Sequence, residues 1–149
     1  MLQSADPEAM YLLNWEQFTH YWLEDIHPSL KSTDFYDYYT EEWLFAGVQS
    51  GNIQVFVLSD GAIKVVFFTQ VIQYPKIKVI RCFWGYGCEL DRFLILANDK
   101  LEEMARFVGA TRLELNGRPG WFRKLRKYLP GMNEGWCTVW RDIERKRSH

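Results

Sequence analysis

The sequence predicts an α+β fold: a mixed central sheet with helices on both faces, in the order α-α-β-β-β-α-β-α-β. Three observations carry this prediction. Before residue 50, and again over 90–107, apolar residues recur at spacings of three and four, the period of an amphipathic helix. Over 53–83 that period gives way to strand-like runs punctuated by Ser59-Asp60-Gly61 and Tyr74-Pro75-Lys76. Finally, the alternating segment 111–115 runs through Asn116-Gly117-Arg118-Pro119-Gly120 into a basic helical stretch.

The elements follow in order. Residues 14–26 carry Trp15, Phe18, Trp22 and Ile26 on one face, with Asn14 and Gln17 placed as a capping pair. His27-Pro28 ends this helix. Residues 34–46, with Phe35, Tyr38, Tyr39, Trp43 and Leu44, read as a second helix closed near Gly47 or Gly51. Strands at 53–58 and 62–73 form a hairpin across Ser59-Asp60-Gly61. A third strand, 77–83, leads into Trp84-Gly85-Tyr86-Gly87-Cys88, read as a glycine-bearing turn. A helix at 90–107 ends at Gly109, and the 111–115 strand carries Leu113 and Leu115 on one side and Glu114 on the other. Pro119 suits the first turn of the basic helix, Trp121 is placed to pack on the sheet, and a last strand is expected around 136–140.

Composition narrows the classes of function. A chain of 149 residues, 48% hydrophobic with seven Trp, forms one folded domain with a full core. No apolar run approaches the roughly 20 residues of a membrane span, and the N-terminus lacks the basic-then-apolar pattern of a signal peptide. Cys82, Cys88 and Cys137 form neither a Cys-x-x-Cys pair nor an even set, so no metal site or disulfide framework is suggested. An intracellular location follows. The net charge of -1 hides a polarity: up to residue 45 the only basic side chain besides histidine is Lys31, whereas from Arg118 onward bases outnumber acids. The basic third meets phosphate, nucleic acid, an acidic protein face or the chain's own acidic helices. No known nucleic-acid motif is present, and the slightly acidic whole argues against that partner.

This succession of elements resembles the GNAT superfamily of N-acyltransferases. The resemblance narrows to phage and prophage proteins with a GNAT-like fold. These share a Thr-bearing strand before a Tyr-Pro-Lys break, here Thr69 and Tyr74-Pro75-Lys76. They also share a Glu-x-x-Ala-x-x-x-Gly helix end, here Glu102, Ala105 and Gly109, and a Gly-Arg-x-Gly-Trp signature, here Gly117 to Trp121. The similarity spans roughly residues 53–132.

The resemblance implies acetyl-CoA in the splay between the 77–83 and 111–115 strands, its pyrophosphate on backbone N–H groups of Gly85 to Cys88. Phe83, Trp84 and Tyr86 complete the cofactor-binding set, with the two aromatics at 84 and 86 flanking the pantetheine arm or serving as core and rim. Glu114 is the implied base, acting through water, and Tyr128 the implied acid near the thiol. Tyr128 stands one position off the usual spacing to Gly131, and three residues rather than two separate Arg81 from Gly85. Arg118, at a glycine turn opening a helix, presents a guanidinium to phosphate, carboxylate or carbonyls. The acceptor is an amine. The other reading is a catalytically inactive GNAT-fold protein of a phage, located in the virion or its internal core or contacting a host protein. The off-pattern glycine turn favours that reading, while the fold core and Glu114 favour the enzyme; Glu89 and Asp91 suit the helix dipole but would repel a pyrophosphate.

Overall fold

In the computed structural model, residues 9–87, 90–116, 119–129, 131–133, 135 and 141–143 are described; at 90–93, 119–122 and 124 the description is of the backbone. Cys88, Gly117, Arg118, the side chain of Trp121 and the strand expected around 136–140 lie outside the described residues.

The architecture is α+β. One sheet runs β1 (Ala9–Leu13), β2 (Gln54–Ser59), β3 (Ile63–Gln73), β4 (Lys78–Gly87), β5 (Arg112–Leu115), with strand neighbours in chain order. The first four strands are antiparallel and β5 is parallel to β4. Strand β1 was not expected from the sequence. Its five residues pair with the whole of β2, from Ala9 opposite Ser59 to Leu13 opposite Val55. So short a run acquires strand character from its partner and not from its own pattern.

Helices α1 (Trp15–Tyr21) and α2 (His27–Lys31) are joined by a π-turn over Trp22–Ile26. The capping pair is as expected: the Asn14 side chain accepts from the Gln17 N–H at 2.8 Å, and Gln17 Oε1 accepts from the Asn14 N–H at 3.0 Å. The expected end at His27-Pro28 is corrected. The wide turn, with the His27 N–H donating to the Trp22 carbonyl, shifts the register so that Pro28 falls in a new first turn. There its missing N–H costs nothing.

The expected helix over 34–46 is corrected too. It divides into α3 (Phe35–Tyr38) and α4 (Glu41–Ser50), with Tyr39 and Thr40 extended between them. Thr40 caps α4 by accepting from the Trp43 N–H at 3.2 Å. The helix runs through Gly47 and closes at Gly51, whose φ of +85° suits a residue without a Cβ. Helix α5 (Leu90–Val108) follows β4, and α6 (Pro119–Tyr128) follows β5.

Strand alternation divides the core between the two faces of the sheet. On one face Phe18, Ile26, Leu30, Phe35, Leu44 and Val48 from the first four helices meet Val55, Val57, Val66, Phe68 and Trp84. On the other, Met10, Phe56, Leu58, Val65 and Phe67 meet Leu96, Ala97, Leu101 and Met104 of α5.

Candidate active site where two strands part

The most consequential correction concerns residues 84–87. The sequence reads as a glycine turn there, but β4 continues through Gly87, with Trp84 opposite Phe68, Gly85 opposite Phe67, Tyr86 opposite Val66 and Gly87 opposite Val65. Pairing to β3 supplies the ladder that overrides the weak strand propensity of two glycines. Gly87 is needed there for a steric reason. A Cβ would stand 2.5 Å from the Lys64 carbonyl oxygen and 2.7 Å from Val65 Cα.

On its other edge, among the described residues, β4 is paired for only half its length. The parallel ladder runs from Val79–Arg112 to Cys82–Leu115, and the Asn116 N–H donates to the Cys82 carbonyl at 3.0 Å. Past Cys82, among the described residues, no strand follows. The end of this ladder coincides with an irregularity on the other side of β4: Thr69 pairs with Cys82 and Phe68 with Trp84, leaving Phe83 as an extra residue. Such a bulge bends the strand and increases its twist.

Beside this point stands a polar cluster that sequence reasoning did not assemble. Arg81 and Glu114 are register partners. Arg81 lies opposite Gln70, two residues from Phe68, so it points to the face carrying the first four helices. Its Nε and Nη2 both donate to Glu114 Oε2, at 3.2 and 3.0 Å, and Nη2 also donates to the Tyr74 hydroxyl. Burial works against the guanidinium charge, but Glu114 and Tyr74 outweigh it and hold its pKa above the ordinary arginine value. Glu114 is therefore an ion-paired carboxylate, half-buried on the face where alternation predicted it. The signal available was the pair of opposite charges on strands expected to be neighbours.

Aromatic rings extend this patch. The bulged Phe83 lies 5.5 Å from Tyr39 and 5.8 Å from Trp43, which stack on each other at 4.6 Å. Burial raises the Tyr39 hydroxyl pKa above the ordinary tyrosine value, with Tyr38 adding to the effect and Arg81 opposing it.

The remaining predicted residues separate. Trp84 is 8% exposed, stacks on Phe68 at 4.6 Å and donates from Nε1 to Thr33 Oγ1 at 3.0 Å. Its indole belongs to the core, so what it offers a ligand is its backbone. Tyr86 is exposed and, with Ser29, Ile63, Lys64 and Gly87, lines a cleft of about 330 Å³. Tyr128 ends α6, exposed, with the Lys127 ammonium 5.5 Å from its ring centre. Among the described residues no hydrogen bond joins it to Glu114. Cys82, half-buried, faces α5, and loss of solvation pushes its thiol up to about 12.

No protein-family profile matches the chain, and no curated protein matches it by sequence. Solved structures do. An aminoglycoside acetyltransferase from an uncultured soil metagenomic sample shares a TM-score of 0.66 at 9% identity, over 92% of this chain and 97% of its own. A ribosomal-protein-alanine N-acetyltransferase from Brucella melitensis biovar Abortus 2308 gives 0.62 at 16% identity, over 91% and 99%. A predicted acetyltransferase from Clostridium acetobutylicum, solved with acetyl-CoA, gives 0.59 at 8% identity, over 89% and 95%. With the antiparallel strands, the parallel β5 and helices on both faces of the sheet, the chain has the fold of the GNAT acetyltransferases.

Proposed function

We propose that this chain transfers an acyl group from acetyl-CoA to an amine. The observation that carries this is the edge of β4 beyond Cys82, which no strand among the described residues covers, beside the bulged Phe83 and ahead of the N-terminus of α5. A strand edge presents a row of backbone N–H and C=O groups. The pantetheine arm, with two amides of its own, matches such an edge, and Phe83, Trp84, Gly85, Tyr86 and Gly87 are the residues that would hold it. The pyrophosphate would sit where β4 passes into α5, at Gly85 to Cys88, with Arg118 as a further anion partner. Acetyl-CoA supplies an activated thioester.

The chain's own groups do the rest. Glu114 keeps Oε1 outside its ion pair with Arg81 and takes the proton that the amine gives up. Tyr128 donates to the leaving sulfur. On this assignment Glu114→Gln and Tyr128→Phe each lower turnover about 10²-fold while leaving acetyl-CoA affinity in place.

Calorimetry with acetyl-CoA, followed by release of the CoA thiol in the presence of amines, tests the proposal. Binding in the micromolar range with turnover supports it; no heat at millimolar acetyl-CoA overturns it. A second reading, a non-catalytic protein of the same fold contacting a phage or host protein, draws on two features. One is the engagement of Glu114 by Arg81; the other is the extra residue before Gly85. Binding of acetyl-CoA without turnover of any amine favours it.

A further inference from the structure

The Tyr74-Pro75-Lys76 break has a job that its sequence does not reveal. The Tyr74 N–H donates to the Ile77 carbonyl at 2.8 Å, and Gln73 Nε2 donates to the carbonyls of Tyr74 and Ile77 at 2.7 and 3.3 Å. This tight turn folds Tyr74 back alongside β4, where its hydroxyl reaches Arg81. A hydrogen-bond inventory then leaves three groups unspent among the described residues. The Tyr74 oxygen accepts from Arg81, so its own O–H proton has no acceptor. Arg81 uses Nε and Nη2 and leaves Nη1 without a partner. Glu114 uses Oε2 and leaves Oε1. Arg81 and Glu114 side chains are each 28% exposed, and no buried polar side-chain atom among the described residues lacks a partner, so these unspent groups open outward.

Two donors therefore stand beside one acceptor, one residue short of the end of the β4–β5 ladder. Donors of this kind suit a carboxylate. The acceptor suits an amine. Next to them the rings of Phe83, Tyr39 and Trp43 form an apolar wall, with Trp43 38% exposed. We propose that this cluster is the acceptor subsite, and that the acceptor is a primary amine bearing a carboxylate, an α-amino acid with an aromatic side chain being the simplest member. The carboxylate lies on Arg81 Nη1 and the Tyr74 hydroxyl, the nitrogen on Glu114 Oε1, and the side chain against Trp43 and Phe83.

This rests on the acyl-transfer reading above. The ammonium yields one proton to Glu114 and thence to water. The neutral nitrogen attacks the thioester carbon, the C–N bond forms, and the C–S bond breaks with its electron pair on sulfur. The second proton lost by nitrogen ends on the CoA sulfur.

The experiment measures thiol release from acetyl-CoA with L-phenylalanine, with phenethylamine, which lacks only the carboxylate, and with L-alanine. The expected result is a kcat/KM for phenylalanine at least about tenfold above each of the others, the size of one retained charge-assisted contact. Tyr74→Phe and Arg81→Lys should each lower the ratio of kcat/KM for phenylalanine to that for phenethylamine toward one; Arg81→Lys, which also disturbs Glu114, is read by that ratio and not by the absolute rate. Trp43→Leu should narrow the gap to alanine. Equal turnover of phenylalanine and phenethylamine overturns the proposal and leaves acyl transfer standing. If no acceptor turns over, calorimetry of phenylalanine and of acetyl-CoA, each with the full chain, separates the two. Absent phenylalanine binding, also in the presence of CoA, overturns the subsite; absent acetyl-CoA binding overturns the reading beneath it.

Discussion

The two halves of β4 belong to one strand and live in different surroundings. From Lys78 to Cys82 it lies between β3 and β5, and Val79 and Ile80 are at most 1% exposed. From Phe83 to Gly87 it has β3 alone as a described strand neighbour, and of these residues Trp84 alone is buried while Gly85, Tyr86 and Gly87 are exposed. The first half is framework. The second half is a shelf, held from one side by β3 and anchored through one indole to the helices. The change occurs at a single extra residue, Phe83, and the polar cluster and the aromatic wall gather on either side of it. The bulge against β3 and the end of the β5 ladder thus fall at the same place, where β4 passes from framework to exposed shelf without breaking.

The largest test of this contrast is the anchor. Trp84→Ala should cost about 3–5 kcal/mol, as large-to-small core changes do, because it empties the space against Phe68 and Phe35 and removes one of the hydrogen bonds at the Thr33 hydroxyl. Denaturant unfolding measures it, and a loss below about 1 kcal/mol would mean that the shelf is held by the ladder alone. Next comes Gly87→Ala, expected to cost about 1–3 kcal/mol through overpacking, since backbone atoms of Lys64 and Val65 occupy the position of its Cβ. The same change at Gly85, where the nearest atom is the Phe67 Cβ at 3.3 Å, should be milder. Equal costs would show that strand edge and strand end are not distinguished by close approach.

In the first half, a double-mutant cycle on Arg81→Gln and Glu114→Gln should return a coupling of about 1 kcal/mol, the upper part of the range for partly exposed pairs. Zero coupling would mean that the pair does not brace the ladder. The smallest effect is a pH dependence. The Cys82 thiol, raised to about 12 by loss of solvation, keeps its proton in the folded chain where the unfolded chain, with an ordinary value of 9.0, loses it. The folded state then binds more protons, so this contribution is full below about pH 9 and is lost as pH rises toward 12. Peptide mapping after iodoacetamide at pH 8 should find Cys82 labelled far more slowly in the native chain than in denaturant; equal rates would contradict the raised pKa of this half-buried thiol.

Much of the fold was legible from residue patterns. Spacings of three and four marked α1 and α5; Asn14 and Gln17 marked a helix start; Ser59-Asp60-Gly61 marked the β2–β3 hairpin; and a helix between strand-like runs implied parallel or mixed pairing, of which the β4–β5 pair is the parallel part. These are local properties, set by side chains a few residues apart, and the sequence determines them by itself. It also placed Glu114 on the side opposite Leu113 and Leu115, because alternation along a strand is local too. What only the tertiary structure decided depends on partners distant in the chain. Ala9–Leu13 is a strand because β2 lies beside it. Residues 84–87 are strand because β3 supplies a ladder that two glycines would not earn alone. The union of Tyr74, Arg81 and Glu114 needs a hairpin turn and a parallel register to act together, across 33 residues in the case of Arg81 and Glu114. Each of these depends on contacts between elements, whose free energy appears when the sheet assembles and leaves no periodic trace in the segments that make it.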